Sequence, residues 1–138
     1  MDNSPKKIVK VGFAVFSGGK ILMARSKKNE KIFYFPGGKV EAGESDEDCL
    51  RRELMEELGV EPDMNSSQFL GEFIGPAHGA SPDVVLVLRM YTGRLAGKPK
   101  ASSEIAELCY MDYSEYSKIS TESGIKVFDW LKEREYIS

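Results

Sequence analysis

The sequence predicts an α/β protein, a mixed sheet covered by helices on both sides. Short runs rich in Val, Ile, Leu and aromatic residues, separated by Gly- and Pro-containing turns, dominate the front of the chain. The stretch from Ser45 to Leu58 holds no Pro or Gly and spaces Leu50, Leu54 and Leu58 four apart, as one helical stripe requires. A second helix is predicted over Gly124–Tyr136, with Ile125, Phe128, Trp130 and Leu131 partly on one face. Many strands and two helices suit a layered mixed sheet.

Taken in order, Ile8–Phe16 is a Val- and Phe-rich strand, Ser17–Lys20 a turn, and Ile21–Ala24 the returning arm of a hairpin. Lys27–Lys31 is a charged loop. Ile32–Phe35 is a short aromatic strand entering Pro36-Gly37-Gly38, and Lys39–Glu41 pairs briefly. Pro62–Ser67 is a connector, and Gln68–Ile74 is a strand interrupted near Gly71. Gly75–Pro82 is a loop, and Asp83–Tyr91 is the most strand-like run. Gly93–Ser103 is a basic loop of small residues, and Ile105–Met111 a strand.

The Ser45–Leu58 helix carries the chemistry. Ser45 is placed to cap it, Asp46, Glu47 and Asp48 put negative charge in the first turn, and Gly59 ends it as a left-handed cap. At about 100° per residue, Glu53, Glu56 and Glu57 fall together on the arc beside the leucine stripe. Like charges at this spacing repel, and a hard divalent cation relieves the repulsion. Against this stands the ordinary alternative of a solvated acidic face.

The 138 residues predict one domain spanning 1–138, with 41% hydrophobic and 30% charged residues, an ordinary globular balance. A net charge of −3 leaves no footprint for DNA or RNA polymers. The polar start and the lack of a long apolar run predict no signal peptide and no membrane span, hence a cytoplasmic protein. Cys49 and Cys109 read as reduced core residues rather than a disulfide or a nucleophile. The oligomeric state stays open, a homodimer included.

Gly38, Glu44, Arg52, Glu53, Leu54, Glu56, Glu57, Gly59 and Val60 match every fixed position of the pattern G-x5-E-x7-R-E-U-x-E-E-x-G-U, where U is a bulky aliphatic. The chain therefore resembles the Nudix hydrolases. The resemblance implies an α/β/α sandwich and cleavage, dependent on Mg²⁺ or Mn²⁺, of a diphosphate linked to another group. It implies Glu53, Glu56 and Glu57 as metal ligands. The Gly37 carbonyl joins them as a candidate, since glycine lets backbone approach an ion closely. Arg52 and Glu44 read as supports of the ligands and the loop, beside Gly38, and Lys39 as a phosphate contact.

The family varies in its general base, so Glu53, Glu104 and Glu107 all stand as candidates, with Glu104 favoured among the later residues. Arg25 and Phe35, with Phe33 and Tyr91, are candidates for holding the substrate, the aromatics through stacking on a base. His78 reads as a loop histidine. The MutT-like members that act on oxidised guanine nucleotides often read the base with a late Asn, and this chain has none after Asn65. Pro76 lies where ADP-ribose-cleaving members carry a proline. The expected activity is conversion of a nucleoside triphosphate to monophosphate and pyrophosphate. Hydrolysis of ADP-ribose or a nucleotide sugar is the alternative, and a non-catalytic nucleotide-binding module the reading from another class.

Overall fold

The computed structural model describes residues 6–29, 31–77, 83–119 and 122–138. Its elements are β1 (Lys6–Ala14), β2 (Phe16–Ser17), β3 (Lys20–Ser26), β4 (Phe33–Tyr34), β5 (Gly37–Lys39), α1 (Asp46–Leu58), β6 (Pro62–Pro76), β7 (Val84–Leu95), β8 (Ile105–Met111) and α2 (Glu122–Glu133). A 3₁₀ segment over Tyr113–Lys118, unforeseen in the sequence, links β8 to α2.

The strands form two sheets. One has the order β5-β1-β7-β6 and is mixed, because β1 and β7 run parallel while the other neighbours are antiparallel. In the other, β2 and β4 share one edge of β3 and β8 takes its opposite edge. The Ile8–Phe16 strand thus breaks at Val15. Both edges of β1 are taken, by β5 and β7, so the chain must leave to pair with β3. Only Phe16 and Ser17 form the hairpin, over Gly18 and Gly19 at φ 58° and 77°, the positive values a two-residue turn needs.

β6 begins at Pro62 rather than Gln68, so the expected connector is strand. Its register against β7 shifts between Asp63 and Gln68 and again between Phe69 and Gly71, and such bulges erase the alternation that would have revealed it. Gly75 and Pro76, expected in a loop, end this edge strand, where a missing N–H is tolerated. β7 likewise runs on past Tyr91 to Leu95. His78 lies outside the described residues.

Two apolar clusters flank the strands. On one side Cys49, Leu50, Leu54 and Leu58 of α1 pack against Val11, Phe13 and Leu22. On the other, Val127, Phe128 and Leu131 of α2 pack against Ala14, Ile21, Met23, Phe35, Leu88 and Met90. Phe13 and Ala14 face opposite clusters, as successive strand residues must.

Candidate active site

α1 is fixed at both ends by its own sequence. The Ser45 side chain accepts the Asp48 N–H at 3.1 Å, and Gly59 at φ 68° donates to the Met55 carbonyl. β5 lies directly against this helix. A Cβ on Gly38 would fall 2.4–2.7 Å from the Glu53 carboxylate, so glycine is what lets the two meet. Gly37 has φ 142°, and a Cβ there would sit 2.0 Å from the Val11 carbonyl oxygen.

Glu57 is buried, with Oε1 accepting the Gly37 N–H at 3.0 Å, while Oε2 is buried with no partner. Burial, reinforced by the charges of Glu53 and Glu56, pushes its carboxyl up to about 8. Glu53 is shifted in the same direction by burial, against the opposing pull of Arg52, whose Nη1 donates to its Oε1 at 2.6 Å. Glu56 is exposed on the same helix edge.

Arg52 holds this edge together. Its Nε and Nη2 grip both oxygens of Glu44 at 2.8 and 2.9 Å, and Nη2 also donates to the Lys39 carbonyl at 3.2 Å. The fork geometry ties the β5–α1 loop to the helix while orienting Glu53. The bonds from Arg52, with the Glu41 amide, hold the Glu44 carboxyl down at about 2. Cys49 is fully buried, its thiol donates toward the Gly38 and Lys39 carbonyls, and burial pushes it up to about 12, the profile of an inert core thiol.

A cavity of about 220 Å³ opens beside this edge, lined by Lys10, Val11, Tyr34, Phe35, the Gly37-Gly38 backbone and, further in, Leu86, Leu88, Ile119 and Gly124. Phe35 both lines it and packs at 6.0 Å on Phe128. Lys39 is exposed and stands opposite Lys10 across the β1–β5 pair. Phe33 is core. Tyr91 is bound to the Asp46 carboxylate at the start of α1, where Arg89 also pairs with Asp46 at 3.2 Å.

Arg25 and Glu107 are register partners on β3 and β8 and bond to each other at 3.1 Å; Arg25 also donates to the Asn29 carbonyl. Glu104 is exposed at the entry to β8, within electrostatic reach of Tyr34. Burial, then the charges of Glu57, Glu53 and Glu104, push the Tyr34 phenol up to about 12. Sequence reasoning passed over Tyr34 and Lys10. The signal for Lys10 was there, a charge set between Val9 and Val11 in an apolar strand.

Among the described residues no three acidic, Cys or His side chains already converge on a single ion-sized point, because Glu53 turns to Arg52 and Glu57 to the Gly37 amide. The donor set nonetheless suits a hard cation. Glu57 Oε2 is an orphaned oxygen, and two further carboxylates on the same edge raise its proton affinity.

Residues 6–131 match the NUDIX domain family model. The chain is 30% identical over 118 residues to the ADP-ribose pyrophosphatase of Methanocaldococcus jannaschii, covering 82% of this chain and 66% of that protein. It is 38% identical over 60 residues to the 8-oxo-dGTP diphosphatase of Haemophilus influenzae, covering 40% of this chain and 44% of that one. The chain thus spans at most about two thirds of the length of these curated relatives. The solution structure of the E. coli ORF135 protein superposes with a TM-score of 0.72 at 25% identity and 94% coverage of both chains. The fold and the box together define a Nudix domain, and this chain belongs to the NUDIX family. Nudix hydrolases in general use divalent metals.

Proposed function

We propose that the chain is a Mg²⁺-dependent pyrophosphohydrolase of the MutT-like kind, acting on a nucleoside triphosphate and releasing monophosphate and pyrophosphate. The observation that carries this reading is the acidic edge of α1, with the buried, unpartnered Glu57 Oε2, set beside an apolar cavity. The cavity takes the nucleobase against Phe35, Leu86 and Leu88, and the triphosphate reaches toward α1 and Lys39. Glu53, Glu56, Glu57 and the Gly37 carbonyl would hold the divalent ion. When bound, the ion neutralises the diphosphate and makes water acidic enough to attack at neutral pH.

The protein residues then divide the work. The Gly37 amide fixes the Glu57 carboxylate, and Arg52 fixes Glu53. Glu53 takes the proton of the attacking water, with Glu104, exposed at the entry to β8, the further candidate. Lys39 steadies the departing phosphate. Glu107 is committed to Arg25, which leaves it poorly placed as a base.

A second reading, hydrolysis of ADP-ribose in the cytoplasm, is favoured by the name of the methanogen relative. A panel of nucleoside triphosphates, ADP-ribose and nucleotide sugars with Mg²⁺ separates the two. Glu53→Gln is expected to cut turnover by roughly 10²–10⁴-fold, the usual worth of a positioned base, with an unchanged melting curve. Full turnover in that variant sinks the assignment of Glu53, and a sensor that binds without cleaving leaves the whole panel intact.

A further inference from the structure

We infer that Lys10 determines base specificity, selecting a base with carbonyl acceptors, such as guanine or thymine, over adenine. This rests on the reading that the cavity beside α1 receives the base of a nucleoside triphosphate.

Among the described residues lining that cavity, only the side chains of Lys10 and Tyr34 carry polar atoms; the others are Val11, Phe35, Leu86, Leu88, Ile119 and glycine. An ammonium is donor-only, with three N–H groups and no acceptor. The Tyr34 phenol stays protonated, because burial and the surrounding carboxylates push it up to about 12, so it too offers a proton. Tyr34 can therefore donate as well as accept, and Lys10 is the donor-only side chain among the described residues facing a ligand otherwise held by apolar contact.

Bases differ in what they offer in return. Guanine sets O6 beside N7, two adjacent acceptors that suit a lysine, and thymine offers O4. Adenine sets an amino donor beside N7. Lys10 is exposed where it borders the cavity, and against it that amino group meets a donor instead of an acceptor and gains no hydrogen bond.

The backbone under Lys10 is rigid. It lies inside β1, opposite Lys39 on β5 and Leu88 on β7, so both edges of its strand are paired. Lys10 is exposed and faces the like charge of Lys39 across the strand pair, a local cost in stability. Lys10 also reaches the electrostatic field of Glu57, which places its ammonium at the junction between the cavity and the acidic edge of α1.

The test compares dGTP, dTTP and dATP in the wild-type chain and in Lys10→Met, which keeps the apolar stem and removes the charge. Wild type is expected to prefer dGTP and dTTP. In K10M, kcat/KM for these two falls by roughly 10–100-fold, mainly through KM, the worth of a hydrogen bond to a charged group. The value for dATP changes far less, so the preference collapses. A wild type that prefers dATP, an equal loss on all three substrates (a phosphate contact) or no change at all overturns the inference. Equilibrium binding of dGMP, dTMP and dAMP gives the same contrast without turnover. A chain that cleaves no triphosphate yet loses dGMP binding in K10M loses the hydrolase reading and keeps this one. Tightest binding of dAMP overturns this one alone.

Discussion

Glu57→Gln is expected to abolish most turnover and, in the same protein, to remove a pH dependence of stability. The Glu57 carboxyl ordinarily titrates near 4.5 and is held at about 8 in the fold by burial and by Glu53 and Glu56. Between those two pH values the folded chain keeps a proton that the unfolded chain has released. Its contribution to stability is therefore fully present below about 4.5 and is lost as pH rises to about 8. A divalent cation bound at Glu57 removes that loss, because the anion then has a partner, and ligand binding to the folded state raises Tm by mass action.

Mg²⁺ should therefore raise the melting temperature of the wild type more at pH 8 than at pH 5. In E57Q the amide oxygen still accepts from Gly37, so the fold survives, but the metal-free Tm no longer falls across this range and the Mg²⁺ shift shrinks. Turnover should drop by more than about 100-fold, beyond what losing a mere partner of a ligand costs. Thermal melts at both pH values, with and without Mg²⁺, make the check. An undiminished Mg²⁺ shift in E57Q places the ion elsewhere.

The largest effect on the fold is expected from Gly37→Ala. Its φ of 142° is one that L side chains rarely adopt, and its Cβ would press within 2.0 Å of the Val11 carbonyl oxygen. That oxygen belongs to β1 in the middle of the mixed sheet, so it has little freedom to withdraw. Backbone strain of about 1–3 kcal/mol adds to an overpacking cost of similar size. Together they remove a large part of the ~5–15 kcal/mol by which a domain of this kind is stable. Chemical denaturation should show the loss directly. A G37A chain with wild-type stability and metal response contradicts the close approach of β5 to β1.

The helix at the centre of the site was fully legible in the sequence, because its signals are local. Ser45, the acidic first turn, the leucine stripe and Gly59 sit within one short run, and the structure places each as expected. Strand identity was legible even where alternation was loose, as in Ile105–Met111. What stayed hidden depends on partners distant in the chain. Nothing near Val15 reports that both edges of β1 are already occupied, and so the switch to a second sheet was missed. The bulges of β6 hid its first half as a connector.

The same holds for the site. Arg52 was expected to pair with Glu44 or with a ligand carboxylate, a short-range choice within one loop and helix, and it bonds to both Glu44 and Glu53 at 2.6–2.9 Å. The pairing of Arg25 with Glu107 arises from the register of β3 with β8, which no local pattern encodes. Lys10 and Tyr34 gain their meaning only from the cavity that unites β1, β4, β7 and the approach to α2.

On the proposed function, the acidic edge of α1 uses a divalent ion to split a nucleoside triphosphate between its α and β phosphates. The most direct measurement is the hydrolysis of a single preferred triphosphate with Mg²⁺ and with EDTA, the products identified by mass. Monophosphate and pyrophosphate that appear only with Mg²⁺, and only when Glu53 is intact, are the expected result. Release of diphosphate and inorganic phosphate, or cleavage that persists in EDTA, contradicts it.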